Sequence, residues 1–137
     1  MDGVPWGYYV YTIKNGDISW YYKAVGQDKS VQYTEYAVGE DRHKPDCIVA
    51  NVWNYDPKWQ VLWYEDGVLQ GEMTKFSGWD TTICNDVDQR REKEFRWKYI
   101  GAGETQHLFY AKPSRPDAKV QIQVIDRFGN VCKPYRN

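Results

Sequence analysis

The segment Asn51–Gly67, NVWNYDPKWQVLWYEDG, constrains the fold more than any other part of the chain. It sets Trp53, Trp59 and Trp63 in two strand-like runs joined by a turn at Asn54-Tyr55-Asp56-Pro57, and a second turn follows at Glu65-Asp66-Gly67. Buried tryptophan removes a large apolar area from water, and a turn on either side fixes which strand face points inward. Trp59, Val61 and Trp63 alternate with Gln60, Leu62 and Tyr64. The first set is expected in the core, with Trp63 as the central-strand tryptophan of a small sandwich.

The rest of the chain repeats the strand rhythm. Gly7–Ile13 and Ile18–Lys23 flank Asn15-Gly16, a pair suited to the tight turn of a hairpin. Val31–Val38 is apolar on both faces in part, which predicts a strand near an edge. Cys47–Trp53 and Val68–Met73 are two more runs. Val120, Ile122 and Val124 share one face, with Lys119, Gln121 and Gln123 on the other, the period-2 pattern of a half-buried strand. Asp126-Arg127-Phe128-Gly129 then turns the chain into Asn130–Lys133. Only the stretch from about Phe76 to Gly103 breaks the pattern. It is expected to be one long irregular connection, in which Asp80 caps a short helix over Thr81–Val87 and the charged run Gln89–Glu94 is solvated.

The expected fold is therefore all-β: one domain over 1–137, a two-sheet antiparallel sandwich of about seven to nine strands, immunoglobulin- or fibronectin-III-like. Seven Trp and twelve Tyr combine with a mean hydropathy of -0.79, as in a thin sandwich with aromatic filling and polar outer faces. The formal charge of -1 supplies no basic field for phosphate backbones, so nucleic acid is not an expected partner. No run reaches the ~20 apolar residues of a membrane span. Met1–Trp6 has neither a basic stretch nor an apolar one, and strand-like sequence begins almost at once. The expectation is a domain excised from a larger protein, with Met1 added to it.

Chemistry-bearing residues are sparse. His43 and His107 are the two histidines, and His107 sits in a strand-like run where a hydrogen-bonded packing role is expected. No nucleophile elbow and no glycine-rich phosphate loop occurs. Glu65-Asp66, Asp86/Asp88 and Glu92/Glu94 lie in expected turns or loops. Cys47, Cys84 and Cys132 are expected as reduced, partly buried thiols, although Cys47 and Cys132 each border a strand and one disulfide between them is open.

The ordered set DGVPWGYYVYTI, ISWYYKAVG, NVWNYDPKWQVLWYEDG, HLFYAKPS and VQIQVIDRFGNV resembles the C-terminal domain of bacterial calcineurin-like phosphoesterases, the exported kind found in Bacteroides-type bacteria. The resemblance runs from Asp2 to about Val131. It implies a periplasmic or surface location, and a partner catalytic domain in the same polypeptide that holds a dinuclear metal site. The family's catalytic motifs, of D-x-H, G-D-x-x-D/N and G-N-H-D/E type, are not present here as a set. Asp41-Arg42-His43 is formally D-x-H, Gly16-Asp17 reaches Trp20, and Gly129-Asn130 continues with Val131.

No catalytic, cofactor-binding or metal-binding residue is therefore expected, and the leading reading is a non-catalytic docking module. Trp79, Trp97 and Tyr99 are its candidate interaction aromatics. A carbohydrate-binding module is the alternative, needing exposed rings flanked by Asp, Asn or Gln. A self-standing enzyme would need a cryptic carboxylate pair.

Overall fold

In the computed structural model, which describes residues 1–91 and 101–135, ten strands and one helix are formed. They are β1 (Gly7–Lys14), β2 (Asp17–Ala24), β3 (Val31–Tyr36), β4 (Ile48–Val52), β5 (Gln60–Glu65), β6 (Val68–Glu72), β7 (Thr74–Trp79), α1 (Thr81–Arg90), β8 (Glu104–Ala111), β9 (Val120–Ile125) and β10 (Lys133–Tyr135). A five-stranded sheet, ordered β10-β3-β4-β8-β7, faces a three-stranded sheet, β6-β5-β9. The β1–β2 hairpin forms a separate two-stranded sheet. The all-β sandwich is as expected from the strand periodicity.

The main core lies between the two larger sheets. Ile48, Ala50 and Val52 of β4, with Phe109 and Ala111 of β8, meet Val61 of β5 and Val124 of β9. Trp59, Trp63, Val120 and Ile122 pack partly buried against this set. Every residue of β4 is buried, because its second face is covered as well: Val49 joins Tyr36 and Cys47 there in a smaller cluster. Both faces apolar is the sequence mark of a strand with no solvent side.

Several local readings change. The turn after Trp53 does not join neighbouring strands; it carries the chain from β4 in one sheet to β5 in the other. Among the described tryptophans the buried one is Trp53, 3% exposed, whereas Trp63 is only partly buried. Trp53 packs with Tyr22 and Ala24 at the base of the hairpin and donates from Nε1 to Thr34 Oγ1 at 3.1 Å. β3 does lie near the sheet edge, as expected, one place in and beside the three-residue β10, which pairs with it in parallel. Beyond its bridge from Val131 to Ile125, the Asn130–Lys133 run crosses to this other sheet.

The connection expected to be irregular holds ordered structure in its described part. Its first residues belong to β7, a strand whose Gly78 and short polar positions hid it from a periodicity reading. The helix forms with Asp80 as N-cap, as expected, and runs on to Arg90. Among the added residues, Arg90 pairs with Asp86 one turn back at 2.7 Å, which favours continuation.

The hairpin is the largest departure. Asn15 and Gly16 take φ of 51° and 82°, as the tight turn requires. Its aromatic side chains, however, do not fill the sandwich: Tyr11 is 62% exposed and Ile13 73%. Both faces of GYYVYTI are apolar, yet only the end near Tyr22 is covered. All three cysteines are free thiols, and burial pushes Cys132 up to about 12.

Exchanging the two tryptophans' expected ranks gives a direct check. Trp53→Ala should cost about 3–5 kcal/mol in a denaturant titration, and Trp63→Ala clearly less.

Candidate functional site

The outer face of the five-stranded sheet carries a buried polar network centred on Asp80. This carboxylate, 1% exposed, sits between β7 and α1. Its Oδ1 accepts the Ile83 N–H at 3.0 Å, the N-cap bond of α1. Its Oδ2 accepts from Tyr36 Oη at 2.7 Å and from Asn51 Nδ2 at 2.7 Å. Asn51 Nδ2 also donates to the Asp2 carbonyl at 3.0 Å. With both amide protons committed to acceptors, Asn51 Oδ1 is left to accept, and it meets His107 Nδ1 at 2.7 Å. Neutral His107 therefore carries its proton on Nδ1, and its Nε2 lies 3.7 Å from the Asp2 carboxylate.

A register slip places His107 here. Phe76 pairs with Leu108 but Gly78 with Thr105, so β8 has one extra residue opposite Ser77. Strict alternation would put His107 with Phe109 in the sandwich core. The bulge turns it to the other side, beside Asn51. The N-terminal segment closes the network from above. Gly3, at φ 85°, lies so near that an added Cβ would stand 2.4 Å from Asn51 Nδ2 and 2.5 Å from Asp80. Only glycine fits that backbone conformation in that space.

The arrangement is one of mutual satisfaction. Burial, reinforced by Asp80, raises the Tyr36 hydroxyl and keeps it a donor. Removing the Asp80 carboxylate would delete a helix cap and strand two buried donors, at about 1–3 kcal/mol for each group left unpaired. The formal D-x-H triplet is consumed in the same way. Asp41, 3% exposed, accepts from His43 N at 3.0 Å, Lys44 N at 2.8 Å and Thr81 Oγ1 at 2.7 Å, so it shapes a loop and ties it to α1. Its neighbour Arg42 pairs with Asp88 at 2.9 Å. Glu65, buried at the end of β5, accepts from Ser114 N at 3.0 Å and Ser114 Oγ at 2.5 Å. Among the described residues, no three His, Cys, Asp or Glu side chains are grouped to hold a metal ion.

The second feature is a cleft of about 810 Å³ beneath the hairpin. Tyr9 and Trp20 come from the hairpin, Gln32 from β3, Asn54 and Trp59 from the link between sheets, and Arg127 and Phe128 from the turn after β9. Phe128 meets Trp20 edge to face at 5.0 Å, and the Arg127 guanidinium lies 4.8 Å from the Trp20 ring centre. The turn itself is as expected: Asp126 Oδ1 accepts from Phe128 N at 2.8 Å and Asn130 N at 2.9 Å, with Gly129 at φ 83°.

Of the aromatics expected on an interaction surface, Trp79 is 45% exposed and sits 6.1 Å from the His43 ring. Trp97 and Tyr99 lie outside the described residues. The larger exposed apolar surface is elsewhere. Trp6 is 91% exposed, and Ile13 faces Ile18 across the hairpin tip, both more than half exposed. No local signal separates this hairpin from β4, whose run is also largely apolar on both faces, because cover is supplied by distant strands.

The family model described as the C terminal of calcineurin-like phosphoesterase matches residues 1–132. The chain belongs to this family. No curated protein and no solved structure matches it. A domain that stands C-terminal in a phosphoesterase implies a catalytic domain in the same polypeptide. No helix among the described residues is long and apolar enough to cross a membrane.

The His107 environment has a pH signature. Burial lowers its pKa below 6.5, against the opposing pull of Asp2. The unfolded chain therefore takes up the proton first as pH falls, and the neutral-His107 contribution, full above about 6.5, drains away below it. Denaturant midpoints measured from about pH 7.5 to 5.5 should fall for the native chain and fall less for His107→Gln.

Proposed function

We propose that this domain is a non-catalytic accessory module that docks on the catalytic domain of its own polypeptide, a calcineurin-like, metal-dependent phosphoesterase. The observation that carries this reading is the use made of its buried acids and of His107. Asp80, Asp41 and Glu65 each accept two or three protein hydrogen bonds from groups that need them, and His107 is held by Asn51. A hydrolytic centre needs carboxylates and imidazoles turned to a substrate or a metal pair; here they brace helix, loop and sheet.

On this reading the two metal ions belong to the catalytic domain, and the parent protein is of the exported, Bacteroides-type kind that works in the periplasm or at the cell surface. The docking surface we assign is the projecting hairpin. Ile13, Ile18 and Tyr11 are apolar, exposed and adjacent across the β1–β2 register, the composition of an interface centre more than of a solvent face. Trp79 stands on a different element and is assigned a secondary contact.

Two measurements test this. The chain assayed alone with Mn²⁺ or Zn²⁺ on a phosphodiester should show no turnover above blank, and sustained turnover would overturn the reading. A separately produced catalytic domain should bind the chain in a pull-down or by calorimetry. Ile13→Asp with Ile18→Asp should weaken that binding about tenfold or more while melting temperature holds.

A further inference from the structure

Beyond docking, we infer that the cleft beneath the β1–β2 hairpin is a binding site for a neutral saccharide. Its volume, about 810 Å³, is within the range of small-molecule sites, ~300–1,000 Å³. The decisive feature is Gln32, a cleft-lining residue only 4% exposed. Its Nε2 donates to the carbonyls of Tyr22 and Lys29, each at 2.7 Å. Both partners are acceptors, so the amide cannot be turned over, and Oε1 is left as a buried acceptor with no partner. Asn54, in the same wall, has a related defect. The Tyr9 hydroxyl, which can donate or accept, holds one end of its amide, and the buried other end is unmatched.

Unpaired buried amide atoms are costly and uncommon in folded chains, and a ligand that satisfies them recovers that cost. A hydroxyl group gives and receives, so a pair of them satisfies Gln32 Oε1 and the free end of Asn54 whichever way that amide is turned. The aromatic wall selects further. Tyr9, Trp20 and Trp59 offer ring surface to an apolar face, as the C–H face of a sugar ring is.

The charges of the cleft do not call for an ion. Arg127 pairs with Asp56 at 3.6 Å and lies over one face of the Trp20 ring, and Asp126 is occupied by its own turn. Lys29 lies 5.5 Å from the Tyr21 ring centre. An ion bound at Arg127 or Asp126 would have to break these arrangements, and a hydrocarbon would leave both amide atoms unpaired. A neutral polyhydroxylated ring fits both walls.

The test titrates this chain by isothermal calorimetry with xylohexaose, cellohexaose, maltohexaose, mannohexaose and chitohexaose, each to millimolar concentration. Saturable binding to at least one is expected. Trp20→Ala should weaken it about tenfold or more, and Asn54→Ala should weaken it with the melting temperature unchanged. Should Trp20→Ala unfold, Asn54→Ala alone decides. Trp79→Ala should leave the affinity as it was. No saturable binding to any of the five, or binding that survives Asn54→Ala, overturns the assignment. Ile13→Asp probes docking at the hairpin tip, outside the cleft, and should not change sugar affinity, so the two readings fail separately.

Discussion

A single buried carboxylate organises the outer face of this domain. Asp80 is almost sealed from solvent, and a carboxylate in that position is tolerable only when its oxygens are well bonded. Three donors meet it, from the first turn of α1, from β3 and from β4. Through them one side chain starts the helix, holds it against the sheet and orients Asn51. Asn51 in turn fixes the His107 tautomer and receives the N-terminal segment. The second face of β4 can be buried because this network, and not bulk hydrophobic contact alone, closes over it.

The opposite face is ordinary sandwich packing, and the two faces divide the work of the domain. Ile48, Ala50 and Val52 look toward the three-stranded sheet, while Val49 and Asn51 look toward the helix side. The hairpin belongs to neither. It is held at its base by Trp53, Tyr22 and Ala24 and projects its apolar tip outward. A projecting hairpin with a recess behind it offers two separate surfaces, one convex and one concave. That is why docking and ligand binding are assigned to different residues of one element.

The network around Asp80 is defined by hydrogen-bond saturation more than by residue type. Asp, His, Tyr, Thr and Asn come together around Asp80, a set that in another geometry would serve catalysis. Here the donors and acceptors pair among themselves. The membership of the chain in a C-terminal phosphoesterase family agrees with a domain whose polar chemistry is turned inward.

Much of this was written locally. The turns at Asn15-Gly16, Asp66-Gly67 and Asp126–Gly129 require backbone conformations that few residues adopt, and they occur where those residues stand. The cap at Asp80 and the alternation of β9 are likewise short-range signals. β7 was hidden because its glycine and small polar residues give no period. His107 is hydrogen-bonded at its strand position as expected, but the bulge that turns it to Asn51 depends on pairing with a strand some thirty residues earlier in the chain.

Sequence alone thus determined the strand class, the tight turns and the family, since each rests on neighbouring residues or on an ordered set of motifs. Tertiary structure decided which tryptophan is buried, which way the hairpin's rings face and which amide atoms remain unpaired. Those outcomes depend on how much covering surface distant strands supply, and an apolar residue carries no mark of whether such cover will reach it.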